Sequence, residues 1–419
     1  MAPRVRRARA RRLTVVASAV AAALALVAGP GPGPGPAPGA ARPAGSSAAA
    51  RPAGSSGAEP QAPPPFGAFL GSGPGGLARM AGLGDWLGGT EPTVGHTYLP
   101  GGTWSDIEGP SGFLDPWARW RREKPDRTLV LNVPMQERNE EDLSDDQVRS
   151  LLRKGADGRF DRHFRALAER LVDLGVPDTV VVLGWEMNGV TYTHRCGPDP
   201  ESWKTYWNRI VRTMRAVPGQ RFRFDFAPSR GRDAVPWTEC YPGDDTVDIV
   251  GMDSYDQPAG MSFDEQVTEP YGLQRHVDFA AAHGKPISYP EWGLFSNGDD
   301  ATYMRRMLAW MDAHRPLYNT LTDYCPHGVW QCARNPMASA VYRSALYGRT
   351  GARPPDPEPA APSAPAPTPP PTPLPTPVPP PTPTRRPPDT CASPDLGGWV
   401  AYWLGGNPCL PADRWPRTL

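Results

Sequence analysis

Lysine is scarce: the chain has 44 Lys and Arg residues, but only 4 are lysines. The 44 acidic residues cancel that charge, leaving a net of zero. A neutral chain without a basic stripe lacks the electrostatic footprint of a nucleic-acid binder. Long apolar runs are also lacking. The best candidate, Leu13 to Ala28, is sixteen residues long, short of the roughly 20 that a membrane helix needs. No internal repeat is visible. The glycine-rich turn Gly71–Gly76 is not followed by the Lys-Ser/Thr of a phosphate loop, and reads as an ordinary turn. Tryptophan is missing from two stretches, 29–65 and 351–388, which hold 11 and 19 of the 56 prolines. Those stretches cannot build a core, so one uniform globular chain is excluded.

What remains divides into five parts. Residues 1–28 read as a signal peptide, with Arg4, Arg6, Arg7, Arg9, Arg11 and Arg12 ahead of the apolar run. Export is the expectation, and an uncleaved membrane anchor the alternative. Residues 29–65 form a Gly/Pro/Ala/Ser segment expected to be disordered. Residues 66–349 carry 11 of the 14 tryptophans and form the catalytic-sized unit. Residues 350–389 are a Pro/Thr-rich linker, a semi-rigid spacer at ~3.1 Å per residue. Residues 390–419 form a small aromatic tail bracketed by Cys391 and Cys409.

Six cysteines in an exported chain suggest disulfides, with 15 possible pairings. Pairing of neighbours is the simplest: Cys196–Cys240, Cys325–Cys332 and Cys391–Cys409. A metal site from Cys325, His327 and Cys332 is the alternative, but a fourth ligand is not evident.

Within 66–349, apolar strands alternate with helical stripes. Eight strands are predicted, at 66–71, 93–99, 128–134, 179–186, 221–228, 247–255, 286–293 and 319–325. Val180 to Leu183 is continuously apolar, as in a strand buried on both faces. The fifth strand alternates instead, and its arginines, Arg221 and Arg223, have no evident role. Phe160, Phe164, Leu167, Leu171 and Leu174 recur at helical spacing, as do Trp203, Trp207, Ile210, Met214 and Val217. Ser144 with Gln147 fits a capping box. Eight strands with intervening helices over this length predict an α/β fold of the (β/α)8 TIM-barrel type. A doubly wound open sheet is the runner-up.

Such a barrel places reactive groups at the C-terminal ends of its strands. Strand four ends in Gly184-Trp185-Glu186-Met187-Asn188-Gly189, and strand seven in Tyr289-Pro290-Glu291-Trp292-Gly293. A carboxylate closing an apolar strand is costly unless it is used or paired. Two such carboxylates flanked by aromatic rings suit glycoside hydrolysis, in which one gives a proton and the other attacks the anomeric carbon. A pair of surface ion pairs is the bland alternative. The acidic stretch Glu140-Glu141-Asp142 with Asp145-Asp146 reads as a solvated helix start. Trp237, Tyr324 and Trp330 stand in strand-end loops, as sugar platforms or simple packing.

These residues resemble glycoside hydrolase family 26, of the clan of retaining (β/α)8 glycosidases. Gly184–Gly189 is similar to the family's acid/base motif, and Lys285–Gly293 to its nucleophile segment. Gly158-Arg159-Phe160-Asp161 and the stretches Tyr241–Asp244 and Val247–Tyr255 also resemble family segments. The resemblance implies Glu186 as general acid/base and Glu291 as nucleophile. It implies that Tyr255 orients Glu291, that Trp185 and Asn188 shape the sugar site, and that Trp292 forms its floor near the nucleophile, with a place in the core as the alternative for Trp292. It implies no cofactor and no metal, a β-mannan-like polysaccharide as substrate, and a secreted protein, taken here as a monomer. The tail 390–419 could add contact with cell wall or insoluble glycan. Two departures loosen the substrate. Trp185 stands where the mannanases usually carry His, and no Trp-His dipeptide occurs in the chain, strand two offering only His96. Xylan and mixed-linkage glucan therefore stay open, as does a catalytically silent carbohydrate-binding barrel.

Overall fold

The computed structural model describes residues 64–348 and two dipeptide strands near the C-terminus. The strands of the main unit are β1 (Phe66–Phe69), β2 (Val94–Tyr98), β3 (Thr128–Val133), β4 (Val180–Leu183), β5 (Arg223–Phe226), β6 (Ile249–Gly251), β7 (Ser254–Tyr255), β8 (Ile287–Gly293) and β9 (Asn319–Thr322). All pair in parallel, in the order β6-β5-β4-β3-β2-β1-β9-β8-β7. The ring closes where β6 meets β8, Val250 opposite Ile287 and Gly251 opposite Ser288. The two-residue β7 continues the path of β6 after a break at Met252-Asp253, so the barrel has eight staves. Each of the eight predicted strands falls on one stave. The open-sheet alternative is excluded by closure.

The helices are α1 (Gly73–Trp86), α2 (Trp104–Ile107), α3 (Leu114–Glu123), α4 (Asp145–Ala156), α5 (Asp161–Asp173), α6 (Pro200–Arg215), α7 (Phe263–Thr268), α8 (Leu273–Ala282), α9 (Ala301–His314) and α10 (Pro336–Leu346). Their predicted stripes are the faces they bury. Trp203, Trp207, Ile210 and Met214 of α6 are all sealed against the barrel. Ser144 caps α4 reciprocally with Gln147, as the spacing predicts. In the acidic start of that helix Arg195 pairs with Asp145 and Arg149 with Asp146.

Two hydrophobic layers result. Val94, Val130, Val180, Val182, Ile249 and Tyr318 fill the barrel interior. The larger layer lies between strands and helices. β5 explains its own alternation: Phe224 and Phe226 point outward against Trp207 and Trp203. Asp225, one residue off that register, points to the opposite face, and is bonded there by Ser288 and Tyr318. Arg223 shares Asp225's face, and its charge favours the buried carboxylate.

Cys196–Cys240 and Cys325–Cys332 are bonded. The metal alternative at Cys325 and Cys332 is thereby displaced, since their thiols are spent on each other. Beyond the barrel, β10 (Cys391–Ala392) and β11 (Leu410–Pro411) form an antiparallel pair. The signal peptide, the disordered segment, the linker and the Cys391–Cys409 bond lie outside the described residues.

Candidate active site

Glu186 sits just past β4, on a turn that the chain adopts at a cost. Gly184 has φ +56° and Glu186 itself has φ +49°. A side chain added at Gly184 would meet Met135 Sδ at 2.5 Å, so that position demands glycine. A non-glycine residue held in the left-handed region stores roughly 1–3 kcal/mol, and such residues gather at functional sites. The turn is pinned by Glu186 N–H donating to Ala227 O at 2.8 Å and by Cys196 N–H donating to Met187 O at 2.7 Å. The carboxyl is half-buried. Burial, then the charge of Glu291, push its pKa up to about 8, with Asp233 adding and a hydrogen bond from Ser229 opposing. Glu186 therefore holds a proton at neutral pH.

Glu291 lies on β8 and is 7% exposed. Its neighbours are hydrogen-bond donors. Tyr255 Oη donates to Oε2 at 2.8 Å and Asn132 Nδ2 to Oε1 at 3.3 Å. Tyr98 supplies a third donor. Burial raises this carboxyl, and all three donors pull it back toward the charged form. The donors are themselves held. Tyr255 Oη also meets Thr322 Oγ1 at 2.8 Å. Asn132 Oδ1 accepts from His96 Nε2 at 2.8 Å, which turns its amide toward Glu291. His96 is sealed in the barrel, and burial lowers its pKa to about 4, so it is neutral. Asp253, 2% exposed, lies at the β6–β7 break. Burial and then the charges of Glu291 and Glu186 push its pKa far up.

Beside Glu291 opens a cleft of about 520 Å³ whose lining includes Phe69, Tyr98, Trp185, Tyr192, Tyr324 and Glu291. Such a cleft offers aromatic faces to the apolar C–H faces of sugar rings. Trp185 stands edge-on to Tyr98 and Tyr192. Glu140 and Asn139 add polar groups to the rim. A groove of similar size between α1 and α3 is lined by Met80, Trp120 and Arg127, with neither glutamate among its walls.

The structure brings Glu186, Glu291, Tyr255 and Trp185 together. It places two other expected residues elsewhere. Asn188 is fully buried, its amide spent on the Ser229 backbone: Nδ2 donates to Ser229 O at 3.1 Å, and Oδ1 accepts from Ser229 N–H at 2.9 Å. It braces the acid/base turn from behind. Trp292 is sealed in the core, donating to Asn319 Oδ1 at 3.2 Å and packing on Tyr342 of α10. The register shift between Tyr289 and Trp292 accounts for this: it breaks the regular alternation of β8, so that Trp292 packs outward like Tyr289 while Glu291 takes the inner face. Of the three loop aromatics, Tyr324 lines the cleft, Trp237 is buried and donates to Tyr271 O at 2.9 Å, and Trp330 packs beside Gly82. Sequence reasoning missed Asn132, Tyr98, Tyr192 and Ser229. Asn132 had a signal, being the single polar residue in Leu129–Val133.

Residues 153–315, which include both glutamates, match the family model described as Glycosyl hydrolase family 26. No curated protein matches the chain in sequence. Among solved structures, a Bacillus subtilis mannanase, BCman, is 18% identical, over 68% of this chain and 86% of its own, with a TM-score of 0.50. Another Bacillus subtilis mannanase structure is 17% identical, over 67% and 85%, with a TM-score of 0.51. Those likenesses carry the barrel, and the family match carries the chemistry class. The chain is a glycosidase whose barrel resembles, and over residues 153–315 matches, the family 26 glycoside hydrolases.

Proposed function

We propose that this protein is a secreted retaining endo-β-glycanase acting on β-mannan by double displacement. The observation that carries the mechanism is the unequal treatment of the two glutamates. A carboxylate with three donors suits a nucleophile, and a half-buried carboxyl with one donor suits a proton donor. In the first half-reaction Glu291 Oε attacks the anomeric carbon while Glu186 protonates the departing oxygen. The glycosyl–enzyme ester is then cleaved by water, which Glu186, now ionised, deprotonates. Tyr255, Tyr98 and Asn132 hold the nucleophile charged and aimed. Neither step calls for a cofactor or metal.

β-Mannan, xylan and mixed-linkage glucan tested side by side, with the anomer of the first product read by NMR, check the reading. It expects mannan cleavage with retained configuration and carboxyl groups about 5–5.5 Å apart. Inverted product would overturn the mechanism. Preference for xylan or mixed-linkage glucan would move the substrate, the outcome that Trp185 in place of the mannanases' histidine keeps open. A barrel that binds but never cleaves would leave the strained Glu186 backbone without a use.

Export follows from the reading of residues 1–28, and the mature N-terminus from culture medium checks it. The tail 390–419 is proposed as an accessory contact with insoluble glycan. A chain ending at Gly348 that keeps full activity on soluble substrate, but loses retention on insoluble polysaccharide, supports this. Sedimentation of the full chain tests the expected monomer.

A further inference from the structure

Beyond β5, the dipeptide Ser229-Arg230 touches the supports of both carboxylates. On the acid side, the Ser229 backbone is clamped by the Asn188 amide at 2.9 and 3.1 Å. Its side chain hydrogen-bonds Glu186. On the other side, Arg230 N–H donates to Asp253 O at 2.9 Å. The guanidinium Nη2 donates to Tyr255 O at 3.1 Å and to Gln257 O, while Nη1 pairs with Glu269. The Arg230 side chain is 3% exposed. A buried guanidinium costs several kcal/mol in desolvation unless its partners are well placed. A surface-type ion pair is therefore not its role. Its planar fork spans two carbonyls and a carboxylate, a shape that an ammonium cannot reproduce.

The carbonyls it holds belong to the segment 253–257, whose Tyr255 hydroxyl reaches Glu291 Oε2 at 2.8 Å. Tyr303 Oη steadies the same segment by donating to Ser254 O at 2.8 Å. We propose that Arg230, clamped by Glu269, is a positioning residue that sets where Tyr255 presents its hydroxyl to Glu291. Through Ser229 it also ties that placement to the turn carrying Glu186. The inference rests on reading Glu291 as the nucleophile. Its effect passes through another side chain, so it must vanish when that side chain loses its hydroxyl.

The test compares full-length wild type, Arg230→Lys, Tyr255→Phe and the double variant. One readout is kcat/KM against pH on the best glycan. The other needs no substrate: the ¹³C carboxyl titration of Glu291. The expected result for Arg230→Lys is a fall of about 10–100-fold in kcat/KM, carried by kcat, as misplacement near the reacting atoms produces. The Glu291 titration and the acid limb should both move up by roughly 0.5–1 pH unit as a donor to the charged form is loosened. In the Tyr255→Phe background, Arg230→Lys should add less than about twofold, the mark of coupled residues. Glu269→Gln keeps the guanidinium, should act in the same direction more weakly, and carries the test if Arg230→Lys does not fold. A lower Tm with an unmoved Glu291 titration would overturn the proposal. So would losses that multiply in the double variant. If wild type cleaves no glycan, the functional reading fails alone, and the carboxyl titration still decides the role of Arg230.

Discussion

The exit of β4 and the end of β8 each carry a glutamate, near enough for their charges to interact, yet the two are built differently. At the β4 exit the backbone is contorted, with Glu186 at φ +49°, and the carboxyl receives a hydrogen bond from Ser229. At the end of β8 the register against β9 shifts between Tyr289 and Trp292, and three donors from three other staves converge on the Glu291 carried there. Burial raises both carboxyls, but only Glu291 has enough donors to oppose the rise. Both carboxyls stay raised, and what separates identical side chains is the opposition each meets: three donors at Glu291 and one at Glu186. Aspartates deepen the asymmetry. Asp233 pushes Glu186 further up, and Asp253, buried beside the pair, is itself pushed toward neutrality by both.

The most severe break is removal of the nucleophile. Glu291→Ala should drop hydrolysis to the assay floor for every substrate, whatever its leaving group, because no covalent intermediate can form. Glu186→Ala should be graded. On mannan the loss should be on the order of 10²–10⁴-fold, and it should shrink for aryl glycosides with acidic leaving groups that need no proton. Measuring kcat/KM across a series of leaving groups separates the two. Similar losses without leaving-group dependence would erase the distinction drawn here. Next in size is Tyr255→Phe. A hydrogen bond to a charged group contributes about 1.5–3 kcal/mol, or roughly 10–150-fold in kcat/KM. Glu291 must be ionised to attack, and losing a donor raises its pKa. The acid limb of the pH profile should therefore move to higher pH, while the basic limb, set by Glu186, stays near its place.

How far the sequence carried this can be argued residue by residue. The stave count was legible because Val180–Leu183 and its counterparts are buried on both faces and read as apolar runs. Glu186 and Glu291 were legible because a carboxylate at the end of such a run demands a reason. Tyr255 was named through a family resemblance, and its bond to Glu291 is present. Trp292 had two readings, site floor or core, and it is core, because its neighbour's importance says nothing of which face of a strand it occupies. Asn188 stands two residues from the acid/base, but the contorted turn aims it at Ser229 instead of the cleft. Tyr98 and Asn132 come from β2 and β3, distant in sequence from either motif. Their approach to Glu291 depends on ring closure, which no local pattern encodes. Arg230 had no signal, being one arginine among 40.

The smallest effect sharpens the comparison most. Glu186 has an ordinary pKa of 4.5 when unfolded and a raised one when folded. As pH rises past 4.5 the unfolded chain releases this proton and the folded chain keeps it. Stability therefore declines from about pH 4.5 toward pH 8 and levels off above. Glu186→Gln removes the proton linkage while keeping the shape. The variant should match wild type near pH 4 and exceed it at pH 8, by on the order of 1 kcal/mol, or about 2–4 °C in Tm. Glu291→Gln should not gain in the same way. Whichever way its amide turns, one end sets N–H groups where a carboxylate oxygen accepted donors, against Asn132 Nδ2 or against the Tyr255 hydroxyl, and part of the three-donor clamp is left unmatched. Thermal melts of both variants across pH 4–9 give the comparison directly. A gain for Glu291→Gln equal to that for Glu186→Gln would mean the three donors contribute little, and the difference between the two strand ends would reduce to burial alone.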